Sequence, residues 1–377
     1  MDSINEQHHT EALALNLVVG LMIAHETRFG ASPYEIMNVE RVFSAIKMLS
    51  EKDSLEIAPY VSGWTDDRLD RIGQLPSGWV DRFKKAVIST THWQLAKEFT
   101  EGVLALMDIN PLDRVYESLM RRMLVEIRAL LSIEDEERFD YLSPLFGLPG
   151  VVRIATLNYD LGVEAAAGRH RVRIDRGIEQ WSGGFEWNWR NRSRVRLLKL
   201  HGSLDWSITE PARTPGDAHF ANRSPIVTLG GEAWDVHGWG GPQPGVVFGN
   251  REKLRTDGPF LAMLFEFSKW LRSTDHLIVV GYSFGDDHIN TLIRDWLGNG
   301  TAGRHMSIID PGFPVSMSDG GKHAPFATWL RQGIAVRQVS EDGRPVGMVL
   351  DDPLFTISTK GAAVALPAVC SWGLDLK

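Results

Sequence analysis

The chain has 377 residues, of which 43% are hydrophobic and 23% charged, and its formal net charge is −8. This composition excludes disordered, collagen-like and coiled-coil classes, and the acidic balance disfavours nucleic acid as a partner by itself. The single cysteine, Cys370, excludes an intrachain disulfide framework and a cysteine-based zinc ribbon. It is typical of a reducing compartment, so we expect a cytoplasmic protein.

Residues 1–150 are predicted to be a mainly helical region packed on the core. Apolar residues recur at three- and four-residue steps in two stretches, 39–49 and 119–131, which is the pattern of a helix with one buried face. Pro111 is a start signal for the second helix. The most apolar run, 13–24, is too short to span a bilayer and follows acidic and His-rich residues. We therefore expect a buried helix there, with neither a membrane partner nor a signal peptide.

Short runs of β-branched and apolar residues occur later in the chain, at 151–156, 195–200, 276–281 and 306–309. Nearly continuous apolar strands are typical of parallel sheets that are covered on both faces. Helical patterns at 260–271 and 289–297 flank the third run. This alternation predicts an α/β fold with a Rossmann-like, doubly wound parallel sheet. We assign the core to residues 151–340, and residues 341–377 to a C-terminal extension of uncertain order.

Polar or glycine-rich turns follow the four predicted strands, and ligands of open α/β sheets bind at these carboxyl ends. The third turn runs from Gly281 to Asp286 and has Ser283 at its centre. Glycine there lets backbone amides approach a phosphate, and the serine can donate to a phosphate or ribose oxygen. The Gly-x-Ser-x-Gly spacing also matches the nucleophile elbow of serine hydrolases. Its candidate bases are His288, His305 and His323. A tight turn without a ligand is the third interpretation.

His201 directly follows the second predicted strand and precedes Gly202. A histidine at this edge can act as a general base at neutral pH, because its ordinary pKa is about 6.5. The alternative is a histidine that only caps the strand. Asn158 and Asp160 follow the first predicted strand, where these residue types bind a ligand or simply form a turn.

In chain order, these motifs resemble those of the sirtuin family, and their residue sequences are most similar to the sirtuin-like proteins of bacterial antiphage defence. The resemblance spans about residues 150–312. It implies an NAD site in which Asn158 positions the ribose and a water, His201 acts as the base, and Asp160 orients the nicotinamide end. The other residues that it implies for binding NAD are Gly202, Gly281, Ser283, Asp286, Asn290 and Asp310.

The sequence departs from the family at two points. One cysteine cannot build the four-cysteine zinc module of deacylating sirtuins, so no metal is expected and NAD cleavage is favoured over deacylation. The Gly-Ala-Gly phosphate loop of the family is not found. The leading hypothesis is an NAD+ glycohydrolase that releases nicotinamide and depletes NAD in antiphage defence, as a homo-oligomer or beside a helicase-type ATPase. The alternative is a non-catalytic nucleotide-binding or assembly subunit of a defence complex.

Two loop segments have open interpretations. Residues 181–194 mix tryptophan with arginine, which suits either stacking on single-stranded nucleic acid or a packed hairpin with a basic edge. The glycine-rich residues 229–250 suit either a lid or a plain surface loop.

Overall fold

A computed structural model describes the following parts of the chain: 2–28, 38–51, 113–190, 193–209, 226–229, 243–247, 258–298, 304–312, 336–338, 347–350 and 355–375. The chain divides into two compact units. The first comprises Met1–Leu131 and Gly231–Lys253, and the second comprises Ser132–Gly230 and Leu254–Lys377.

The first unit is helical over most of its described residues. Its helices are α1 (Asp2–Thr27), α2 (Val39–Ser50) and α3 (Asp113–Leu130). Helix α2 begins after Asn38, whose side-chain oxygen accepts a hydrogen bond from the Glu40 amide at 2.8 Å. The helices share a core of Leu13, Ala14, Leu17, Val18, Val42, Ile46, Tyr116 and Leu119. These residues come from the apolar stretches of the sequence, because one stripe of each helix is buried.

The second unit alternates strands with helices. Numbered along the whole chain, the strands are β1 (Val152–Thr156), β2 (Ile174–Asp175), β3 (Val195–Lys199), β4 (Gly202–Thr209), β5 (Ile226–Leu229), β6 (Gln243–Val246, in the first unit), β7 (His276–Val280), β8 (His305–Ile309), β9 (Val336–Gln338), β10 (Gly347–Leu350) and β11 (Phe355–Ser358). Its helices are α4 (Ser143–Gly147), α5 (Gly162–Arg169), α6 (Phe260–Arg272), α7 (Asp287–Gly298) and α8 (Ala362–Asp375), with 3₁₀ turns at Glu136–Leu142 and Ile178–Gln180.

Parallel strands form the centre of both larger sheets. In the first sheet, β3 lies between β1 and β2, with Val152 opposite Val195 and Thr156 opposite Lys199. In the second, β8 lies between β7 and β11, with Val280 opposite Ile309, and β10 and β9 extend this sheet in antiparallel fashion. Helices flank these strands, which confirms the α/β class. Strands β1 and β3 end at one common edge, as do β7 and β8, so the polar turns that follow them are neighbours.

The C-terminal residues belong to the second sheet. Strand β11 pairs with β8 along its whole length, and helix α8 packs its Ala365, Leu366 and Val369 against Ile309 of β8. Cys370 lies in the same cluster, and burial raises the pKa of its thiol to about 11. Strand β11 and helix α8, in the C-terminal extension whose order the sequence leaves uncertain, thus cover β8, the strand that leads to Asp310.

A pair of histidines lies at the amino end of the second sheet. The rings of His276 and His305 are 5.2 Å apart between centroids, and their Nε2 atoms lie 2.9 Å from Ser307 Oγ and Thr356 Oγ1 respectively. Burial, reinforced by the neighbouring His305, lowers the pKa of His276 to about 4 from its ordinary 6.5. The folded protein therefore holds His276 neutral under conditions in which the unfolded chain takes up a proton.

This pair makes stability depend on pH. Because the unfolded chain binds the additional proton, we expect the free energy of unfolding to fall as the pH is lowered from 6.5 towards 4. In urea titrations at pH 7 and pH 5, His276→Gln should lose less stability than wild type, since glutamine keeps the bond to Ser307 without titrating. The exposed His170, replaced by glutamine, is the control. An equal loss in wild type and His276→Gln would contradict this assignment.

Candidate functional site

The turn after β1 carries two of the predicted site residues. Asn158 is exposed, and its backbone amide donates to Thr156 Oγ1 at 3.0 Å. Asp160 Oδ1 accepts from the amide of Gly162 at 2.8 Å, where α5 begins. Asp160 thus closes a tight turn just before the helix with one carboxylate oxygen, and Asn158 lies at the edge where a ligand can reach it.

The turn from β3 into β4 carries His201 and Gly202. His201 is 5% exposed, so its imidazole belongs to the interior of the strand end. Gly202 has a φ of 85°, a conformation that only glycine adopts without strain, so the sharp turn after the histidine depends on it.

Two aromatic rings from other strand ends lie beside His201. Its ring centroid is 6.3 Å from that of Tyr159, in the turn after β1, and 6.2 Å from that of His288, in the first turn of α7. Because α7 follows β7, the carboxyl ends of three strands from two sheets meet at this histidine. Sequence reasoning named His288 only as a candidate hydrolase base, and its contact with His201 could not be predicted without the fold.

The turn after β7 is held in an unusual backbone conformation. Gly281 has a φ of 60°, its amide donates to the carbonyl of Ile309 at 2.8 Å, and no described atom lies within 4 Å of where its Cβ would stand. Phe284 is buried with a φ of 51°, which costs a non-glycine residue about 1–3 kcal/mol. The carbonyl of Phe284 accepts from Asn290 Nδ2 at 2.8 Å, and this bond helps to hold the strained residue. Ser283, between the two, is exposed.

Asn290 and Asp286 shape this turn from its other side. Asn290 is buried, and its Oδ1 accepts from the hydroxyl of Tyr282 at 3.0 Å, so both ends of its amide are bonded within the turn. Asp286 is also buried, and its carbonyl accepts from the Asn290 amide at 2.9 Å, which begins α7. Burial raises the pKa of Tyr282, as does the carboxyl of Asp286, so the phenol remains a donor. A contact of Asn290 or Asp286 with a nucleotide stays a prediction.

Asp310 follows β8 at the same edge. Its amide donates to the carbonyl of Ser358 in β11 at 3.0 Å, and its Oδ1 accepts from the amide of Gly312 at 2.8 Å. The side chain thus closes a tight turn of its own. Its predicted position near an adenosine ribose stays a prediction.

Sequence reasoning missed a set of buried and partly buried charges behind these turns: Glu164, Arg176, Lys199 and Asp205. The signal was present, because Lys199 stands between two leucines at the end of its strand. A charged side chain inside a buried strand indicates a paired ion.

The geometry disfavours a serine hydrolase with His305 as its base. His305 is the first residue of β8, opposite His276, so it lies about 13 Å along the strand from the carboxyl edge where Ser283 is found. The strained residue of the turn is Phe284, whereas a nucleophile elbow places its strain on the serine. His323 lies outside the described residues.

The tryptophans of the Trp/Arg segment mainly pack against the protein. Trp187 is buried, and Trp189 stacks on Trp270 at 5.3 Å and donates to Glu266 Oε1 at 2.8 Å. This favours the packed hairpin over a stacking platform for nucleic acid. Of residues 229–250, only 229 and 243–247 are described.

The described residues contain no group of three or more His, Cys, Asp or Glu placed to hold a metal ion. Nor do they contain a helix that is both long and apolar enough to cross a membrane.

In a comparison with known families, the model of the SIR2-like domain matches residues 152–322. All nine predicted site residues lie within this range. A comparison with curated proteins found no match. SIR2-like domains are commonly NAD-dependent enzymes that use NAD as a substrate, so the match indicates an NAD-related function. This match supports a sirtuin-like domain at residues 152–322.

Proposed function

We propose that the protein is an NAD+ glycohydrolase and that its parallel strands form a Rossmann-like nucleotide-binding sheet. The observation that carries the proposal is the meeting of three strand ends at His201, with Tyr159 and His288 at 6.3 and 6.2 Å. A base at the carboxyl edge of a parallel sheet lies where such folds bind nucleotides. The SIR2-like match supports NAD as the nucleotide.

The reaction replaces a carbon–nitrogen bond by a carbon–oxygen bond. The bond between C1′ of the ribose and the nicotinamide nitrogen breaks through a cation-like sugar, and its electron pair leaves with nicotinamide. A water attacks C1′, and His201 takes up the proton of that water. The amide of Asn158 orients the ribose and the water, and Asp160 orients the nicotinamide end.

The remaining predicted residues would bind the rest of NAD. The turn at Gly281 brings backbone close to the pyrophosphate, with Ser283 as a hydroxyl donor. Asp310 would accept a hydrogen bond from the adenosine ribose. Gly202 lets the chain turn directly after the base, and Asn290 and Asp286 hold the Gly281 turn in shape.

In the cell, the activity would deplete NAD. We propose that the protein is a cytoplasmic effector of bacterial antiphage defence, active as a homo-oligomer or with a helicase-type ATPase. Its net charge of −8 fits a protein that reaches nucleic acid only through such a partner.

A direct assay tests the proposal. Purified protein is incubated with NAD, and nicotinamide release and NAD binding are measured for wild type, Asn158→Ala and Asn188→Ala. Asn188 is an exposed asparagine of the same domain and serves as the matched control. We expect release by wild type and Asn188→Ala, and a loss of about 100-fold or more in Asn158→Ala because the water is no longer oriented.

A second candidate is a nucleotide-binding assembly subunit without catalytic activity. The lack of a Gly-Ala-Gly loop in the sequence favours it. NAD binding by wild type without nicotinamide release would support this candidate over the glycohydrolase. A wild-type protein that neither binds NAD nor releases nicotinamide would overturn both candidates.

A further inference from the structure

A fully buried lysine ties the first site turn to the strand that carries His201. Lys199 is the last residue of β3, and its side chain has no exposed surface. Its Nζ donates to the carbonyl oxygen of Asp160 and lies 3.3 Å from Glu164 Oε1 on α5. One ammonium group thus fastens both the Asn158–Asp160 turn and the helix after it to the end of β3.

An arginine continues these contacts to β4. Arg176 Nη1 lies 2.6 Å from Asp205 Oδ2 and 3.7 Å from Glu164 Oε1. Ser203 Oγ donates to Asp205 Oδ1 at 2.5 Å, and Ser203 is itself fully buried. We call Lys199, Glu164, Arg176 and Asp205 the positioning network. It reaches the chain on both sides of His201, because Lys199 precedes and Ser203 follows the histidine by two residues.

Removing these charged groups from water costs free energy, so the network is an inefficient way to stabilise a fold. Burial raises the pKa of Glu164, with Lys199 and Arg176 acting in the opposite direction, and burial lowers the pKa of Lys199 against the pull of Glu164. Moreover, Glu164 Oε2 is a buried atom without a hydrogen bond to the described residues. Buried ion pairs are often replaceable by apolar residues without loss of stability. Stability alone is therefore a weak reason for charges at this place.

We propose that the positioning network sets the geometry between Asn158 and His201. This inference rests on the proposed function, in which Asn158 orients the water that His201 deprotonates. Neither catalytic group belongs to the network, but the carbonyl that Lys199 binds is two residues from Asn158. A displacement of about 1 Å between such groups can cost about 100-fold in rate. The network residues are thus positioning residues that act through the turn and the strand end.

The test compares two charge-neutralising variants, one near the start of α5 and one in the 3₁₀ turn that contacts the other end of this helix. Glu164→Gln keeps the shape of the side chain but leaves the charge of Lys199 without its acid. Asp140→Asn is the matched control, because Asp140 pairs with Arg169 at the far end of the same helix, at 2.9 Å on the surface. Two readouts are taken: kcat and KM for nicotinamide release, and hydrogen exchange of peptides covering 156–162. Peptides from β7 and β8 serve as the reference for global stability.

We expect Glu164→Gln to exchange faster at 156–162 than wild type, while the reference peptides remain unchanged. Its kcat should fall about 10-fold or more with KM within about 2-fold, because alignment is lost rather than ground-state binding. Asp140→Asn should match wild type in both readouts.

The outcomes separate this inference from the proposed function. If the peptides covering 156–162 exchange at the wild-type rate in Glu164→Gln, this inference is overturned whatever the activity of the variant. Faster exchange with an unchanged kcat would overturn the link to catalysis. If the wild type releases no nicotinamide but Glu164→Gln still exchanges faster at 156–162, the glycohydrolase proposal is contradicted. The stabilisation of the turn by the positioning network is then still supported.

Discussion

Replacement of His201 by alanine is expected to lower nicotinamide release by about 10²–10⁴-fold, the usual contribution of a general base. NAD binding should persist, because the residues proposed to hold the phosphates and the adenosine ribose lie in other turns. The measurement is release under saturating NAD, together with the dissociation constant of NAD. His201 is 5% exposed, so the variant must first be shown to unfold like wild type.

The control for this prediction is another histidine of the second unit. His170 follows α5, and its Nε2 lies 3.4 Å from Asp140 Oδ1 on the surface. We expect His170→Ala to retain the activity of wild type. A folded His201→Ala protein with undiminished release would assign the base to another group, and His288, at 6.2 Å, would then be the first to replace.

The largest expected effect on stability comes from Lys199→Met. Methionine fills most of the lysine volume, but Glu164 loses its nearest cation and the carbonyl of Asp160 loses a donor. Removing one partner of a buried pair costs about 3–5 kcal/mol. Denaturant titration measures the free energy of unfolding, and the midpoint of thermal unfolding should fall by about 2–4 °C for each kcal/mol.

Two further variants make the Lys199 prediction specific. Lys269→Met removes a lysine that is 78% exposed and 3.5 Å from Glu266, and we expect a change below about 1 kcal/mol. The double variant Lys199→Met with Glu164→Leu should regain much of the loss, because it leaves no partly buried glutamate without its lysine. A single variant as stable as wild type would show that the ammonium contributes no net stability.

The sequence predicts the strand ends well because their signals are local. Each predicted strand is a short apolar run that ends in a polar or glycine-rich turn, and β1, β3, β7 and β8 lie at these runs. The positive φ values of Gly202 and Gly281 fall in two of those turns. Periodicity and glycine chemistry act over a few residues, so they can be read without the fold.

Long-range partners could not be predicted in the same way. The pairing of β11 with β8 joins residues about 50 positions apart, and no local pattern encodes it. The nucleotide contact that the resemblance implied for Asn290 stays a prediction, but the bonds of its amide to Phe284 and Tyr282 were not visible in the sequence. The other members of the positioning network, Glu164, Arg176 and Asp205, likewise come from three separate segments, so the charge of Lys199 was visible but its role was not.

The position of β11 has a consequence for expressing the domain by itself. The matched range ends at residue 322, whereas β11 and α8 lie at 355–375. A fragment cut at the matched boundary would leave β8 as an open edge strand and strip the apolar cover from Ile309, inviting aggregation. The truncation would also remove the Ser358 carbonyl that accepts a hydrogen bond from the Asp310 amide. The smallest soluble piece that preserves this edge of the sheet should therefore extend to the end of α8.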